Sequence, residues 1–72
     1  MNKIYNNLIN EVKSKNAKEV RMSLRDNNLL IEIKEDKDFK KFIYFNGKGK
    51  DLIDYAITIN KLKADNCITF KV

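Results

Sequence analysis

The chain opens on a helical pattern. Ile4, Tyr5, Leu8, Ile9 and Val12 recur at the spacing of one apolar stripe, which predicts an amphipathic helix over residues 3–15. Asn2 suits its N-cap, Lys13 and Lys15 suit the negative end of its dipole, and Asn16 is a plausible stop. The period then changes to two. Val20, Met22 and Leu24 alternate with Glu19, Arg21, Ser23 and Arg25, so residues 18–25 read as a half-buried strand.

Asp26-Asn27-Asn28 marks a tight turn before a second strand over residues 29–34. A two-residue turn at Asn27-Asn28 would set Leu24 opposite Ile31 and Met22 opposite Ile33, with the apolar faces together. Glu35-Asp36-Lys37-Asp38 is the next turn, and residues 39–45 form a third strand that is apolar on both faces. Phe42 and Tyr44 line one face of it, Ile43 and Phe45 the other. Such a strand is covered on both sides or exposes an apolar patch. A two-residue turn at Asp36-Lys37 would send Phe42 and Tyr44 to the core and pair Glu32 with Lys41. A three-residue turn would reverse the faces.

Residues 51–62 fit a second helix with Leu52, Tyr55, Ala56, Ile59 and Leu62 on its stripe. A strand is the rival, because Ile53, Tyr55, Ile57 and Ile59 also alternate. After a turn at Asp65-Asn66, residues 67–71 form a last strand with Ile68, Phe70 and Val72 on one face. The expected fold is therefore a single α+β domain over residues 1–72, of order α-β-β-β-α-β. It is a two-layer sandwich in which an antiparallel meander carries both helices on one face. The other face would hold Arg21, Arg25, Lys34, Leu30 and one side of the third strand.

Composition narrows the function classes. With 72 residues the chain is one small domain, nine Ile supply its core, and there is no proline. No run is long enough to span a membrane and no signal-peptide pattern opens the chain. A single cysteine, Cys67, excludes an internal disulfide, which points to the cytoplasm, and to the host-cell cytoplasm for a phage-encoded chain. There is no histidine, so Ser-His and Cys-His catalysis and most metal constellations are excluded. Cys67 is expected to fill space in its strand rather than react. The carboxylates of Glu35-Asp36-Lys37-Asp38 lack the frame of a calcium loop. The expectation is no enzyme activity and no cofactor.

The formal charge of +5 is unevenly distributed. Residues 1–25 and 39–50 are each +4, residues 26–38 are −3 and the remainder is neutral. Lys, Asn and Ile have AT-rich codons, so part of the lysine content reflects codon usage. Arg21, Arg25, Lys34 and Lys41 would still form a basic patch beside aromatic side chains, suited to phosphate contact or base stacking. Gly47-Lys48-Gly49-Lys50 precedes a helix start, where backbone N–H groups can hold phosphate. The plain alternative is a flexible connector.

Two resemblances follow from these residues. The helix–three-strand–helix order with Gly47-Lys48-Gly49-Lys50 resembles a double-stranded-RNA-binding domain, which would make Lys48 and Lys50 phosphate contacts. The positions after Lys50 are Asp51, Leu52 and Ile53, so that family's lysine pair is missing. The stretch Asn7-Leu8-Ile9-Asn10-Glu11-Val12-Lys13-Ser14-Lys15-Asn16 resembles the first helix of a small phage-encoded anti-CRISPR protein. That inhibitor continues into three strands and a helix, but it is acidic, whereas this chain is basic. The resemblance implies a phage or mobile-element protein that binds and inhibits a host defence or nucleic-acid enzyme.

The partners implied are a protein or ribonucleoprotein, nucleic acid as the alternative, or a second copy pairing through the third strand, with no membrane partner. The nucleic-acid reading uses Arg21, Arg25, Lys34, Lys40, Lys41, Lys48 and Lys50. The protein-binding reading adds Ile43 and Phe45.

Overall fold

The computed structural model describes residues 2–72. It has α1 (Lys3–Ser14), β1 (Glu19–Arg25), β2 (Asn28–Lys34), β3 (Phe39–Phe45), α2 (Gly49–Ile59) and β4 (Cys67–Lys71). The sheet is antiparallel with spatial order β3-β2-β1-β4. Both helices cover one face, and the architecture is the expected α+β sandwich. The alternation in residues 52–60 resolves as helix.

The first helix begins where Asn2 accepts a 3.0 Å hydrogen bond from the Tyr5 backbone N–H through its side chain. It ends before Asn16, which takes a positive φ of 60°. Tyr5, Leu8 and Val12 are buried, Ile9 is half-buried, and Ile4 is 60% exposed at the edge of the stripe. In α2 the buried stripe is Leu52, Ile53 and Ala56. Ile59, expected inside, is 53% exposed, and Ile53, expected on the strand-like alternation, is fully packed. The contact face of α2 is rotated towards Ile53, and the helix starts two residues early, at Gly49.

Opposite the helices, Val20, Met22, Leu29, Ile31, Ile33, Ile68 and Phe70 complete one core. Burying each such side chain contributes about 1.5–3 kcal/mol, the dominant favourable term in so small a domain. Tyr5 joins the layers: its ring lies 5.1 Å from Tyr55 and 6.4 Å from Phe70 between centroids.

The β1–β2 hairpin differs from expectation in register. Leu24 faces Leu29 and Met22 faces Ile31, so the two turn residues are Asp26 and Asn27. Asp26 takes the positive φ, 59°. The shift is two residues, which leaves every side chain on its expected face. The two asparagines instead hold α2, as described below.

The third strand combines both registers considered for it. Lys34 pairs with Phe39, Ile33 with Lys40 and Glu32 with Lys41, but Ile31 pairs with Ile43. Phe42 is therefore the extra residue of a β-bulge. The bulge changes the face of everything after it. Phe42, Ile43 and Phe45 all pack against the core, while Tyr44 remains outside beside Leu30. This corrects the placement of Ile43 and Phe45, which were expected to offer an apolar patch on the uncovered face.

Candidate functional site

Alternation along each strand assigns the uncovered sheet face. β3 contributes Phe39, Lys41 and Tyr44, and β2 contributes Leu30, Glu32 and Lys34. β1 contributes Glu19, Arg21, Ser23 and Arg25, and β4 contributes Cys67, Thr69 and Lys71. Five cations thus stand against two carboxylates.

The cations are not equally available. Arg21 Nε donates to Glu32 Oε1 at 2.9 Å, directly across from β1 to β2. Its guanidinium carbon also lies 4.3 Å from the Phe39 ring centroid. The hydrogen bond to Glu32 is the main cause that pushes the Arg21 pKa above its ordinary value. Lys34 sits 3.5 Å from Glu19 and 5.7 Å from the same Phe39 ring. Two expected site residues, Arg21 and Lys34, are therefore committed within the face. Both cations also lie over the Phe39 ring.

Arg25 and Lys41 differ. Among the described residues neither enters an ion pair, and Lys41 Nζ lies 5.9 Å from the Tyr44 ring centroid. Tyr44 is 51% exposed, a large aromatic side chain on the edge strand of the uncovered surface. A depression of about 520 Å³ runs beside it. Leu30, Tyr44, Ser23, Cys67 and Arg25 line this depression, with Asp26 and Asp65 at its rim. Sequence reasoning missed Tyr44 as a site residue because only the bulge decides which side of β3 it takes.

Cys67 is exposed on this face, 3.5 Å from Ser23 Oγ, rather than filling space inside. Neither side chain has a histidine beside it, since the chain contains none. Among the described residues no cluster of three metal-ligating side chains forms, and no helix is long and apolar enough to cross a membrane.

Lys48 and Lys50 lie away from the uncovered face, at the start of α2. The glycine-rich stretch there is occupied with folding. Gly49 N–H donates to Asn27 O at 2.9 Å, Lys50 N–H to Asn27 Oδ1 at 3.0 Å, and Gly47 N–H to Asn28 Oδ1 at 2.9 Å. Three of the donors that could cradle a phosphate, the N–H groups of Gly47, Gly49 and Lys50, are thus satisfied by the β1–β2 hairpin. Lys50 Nζ forms an i,i+4 pair with Asp54 at 2.9 Å. A Cβ on Gly49 would stand 2.7 Å from Leu29 Cβ, so this glycine permits close contact of helix and strand. Gly47 serves differently: it turns the chain with φ of 88°.

No family model, curated protein or solved structure matches this chain.

Proposed function

We propose that this chain is a non-catalytic binding protein that seats its uncovered sheet face on a protein partner. In doing so it inhibits or masks that partner. The observation that carries the reading is Tyr44, half-exposed on a braced sheet between the uncommitted cations Lys41 and Arg25. Tyr and Arg are the residue types that dominate protein interfaces when they stand on a rigid base. The intramolecular pairs Arg21–Glu32 and Lys34–Glu19 pre-organise that base, which lowers the entropy cost of docking.

The charge pattern favours a protein over nucleic acid. A phosphate backbone would meet Glu32 and Glu19 beside the cations, and Asp26 and Asp65 around the depression. A protein surface can place carboxylates opposite Arg25 and Lys41 and an apolar side chain against Leu30 and Tyr44. An inhibitor of a host defence or nucleic-acid enzyme is a partner relationship of this kind, with an acidic surface covered by a basic one.

The test is capture from nuclease-treated host lysate. Wild-type chain should retain a protein, Tyr44→Ala and Arg25→Glu should lose it, and Thr58→Ala on the exposed side of α2 should not. Recovery of nucleic acid alone, or equal capture by all four chains, would contradict the proposal.

A further inference from the structure

The two edges of the sheet are not alike. β3 is guarded against pairing: it carries a bulge at Phe42 and consecutive lysines, Lys40 and Lys41. β4 has neither device. It pairs with β1 over five residues without a register shift, and its only charge is Lys71 at the end.

The direction of its backbone groups can be worked out. Leu24 N–H donates to Asn66 O at 2.7 Å, and Val72 N–H donates to Lys18 O at 3.1 Å. Antiparallel ladders alternate bonded and non-bonded pairs. Bonds at 24/66 and 18/72 therefore place Ile68 and Phe70 on the inner ladder with β1. Cys67, Thr69 and Lys71 then direct N–H and C=O outward. Among the described residues none of these three has a backbone partner on the outer side.

We infer that this edge binds the same edge of a second copy, making one antiparallel sheet of eight strands. The occupant follows from the self-complementary pattern of the strand. A two-fold axis at Thr69 sets Thr69 opposite Thr69 of the second copy, Cys67 opposite Lys71, and Ile68 opposite Phe70. The outward groups of Cys67, Thr69 and Lys71 then all find partners. The two Lys71 ammonium groups stay apart, each facing a thiol, and the apolar pair continues the core across the junction. On the other face the two uncovered surfaces join into one. This inference is independent of what that face binds. It also moves self-association from the third strand, where the apolar sequence suggested it, to the fourth.

The test is the mass of the isolated chain by light scattering across a concentration series. The 8.5 kDa chain should approach about 17 kDa as concentration rises. Thr69→Pro removes an outward N–H and no hydrogen bond to β1, so it should leave far-UV circular dichroism unchanged and return the mass to that of the monomer. A second measurement does not depend on how well that variant folds. In a Cys67→Ser background, Thr69→Cys should oxidise to a disulfide-linked dimer much faster than Thr58→Cys, because paired strand residues lie within disulfide reach. A constant monomer mass with equal oxidation at the two positions would overturn the inference. So would a monomer whose Thr69→Pro variant loses only capture of a foreign partner, which would assign the edge to that partner. The mass and oxidation measurements use the isolated chain alone, so their failure leaves the binding-face proposal standing.

Discussion

Replacing Gly49 with alanine separates two accounts of the glycine-lysine stretch. Helix propensity alone predicts a gain of about 0.5–1 kcal/mol, since Gly49 begins α2. The packing predicts a loss. The added methyl would meet Leu29 Cβ at 2.7 Å, Asn27 O at 3.0 Å and Leu29 N at 3.1 Å. None of these is the end of a flexible side chain, and Leu29 is fully buried. Relief requires α2 to back away from β2, loosening the Gly49–Asn27 and Lys50–Asn27 bonds. Overpacking of this kind costs about 1–3 kcal/mol, so the net effect is destabilising by about 1–2 kcal/mol. For a domain of this size that corresponds to a fall in Tm of about 5–15 °C, read by thermal circular dichroism and checked by urea titration. Asparagine provides the control. At Gly47, where nothing lies within 4 Å, only the positive φ matters and Asn tolerates it. Gly47→Asn should therefore be mild and Gly49→Asn severe. A Gly49→Ala protein as stable as the parent, or more so, would refute the close-packing account and return the stretch to the role of a flexible connector.

Other predictions follow from the same contacts. Asn27→Ala removes the side-chain acceptor for Lys50 N–H and should lower stability by about 1 kcal/mol in urea, the usual worth of a helix cap. Ile31→Ala empties a fully buried site at the centre of the sheet and should lower stability by about 2–5 kcal/mol, with an unchanged denaturant slope. Tyr44→Ala should leave the melting curve almost unmoved, because the ring is half-exposed, yet weaken partner binding about 30-fold, as the loss of a 2 kcal/mol hot spot would.

The fold was legible wherever one apolar period ruled. The Val20–Met22–Leu24 alternation and the Ile4–Val12 stripe located β1 and α1 to within a residue at each end. Tyr5, Leu8 and Val12 turned inward as the stripe requires, whereas Ile4 at its margin did not. The hairpin register was misjudged by two because asparagine is a good turn residue and Asn27-Asn28 stands in the right place. The structure uses their side chains for a longer-range task, capping and holding α2, which no local pattern records. The uncovered face was foreseen for Arg21, Arg25, Lys34 and Lys41. Leu30 was foreseen there too, but the side of β3 that joins it was not, since a single inserted residue at Phe42 exchanges the two sides of that strand. A bulge leaves only a weak mark in sequence, here a run apolar on both faces. Lys48 and Lys50 were drawn into the site by their glycines, but those glycines answer to packing and to φ, not to a ligand.

Cys67, the chain's single thiol, stands on the uncovered face and reports directly on whether that face is the binding surface. Its alkylation rate can be compared between free chain and captured complex, with Thr58→Cys in a Cys67→Ser background as the helix-side reference. Binding through the uncovered face predicts that Cys67 becomes protected in the complex while the cysteine at position 58 reacts at its free rate. A Cys67 that reacts equally fast in the complex, with protection appearing at position 58 instead, would place the partner on the helices and contradict the account.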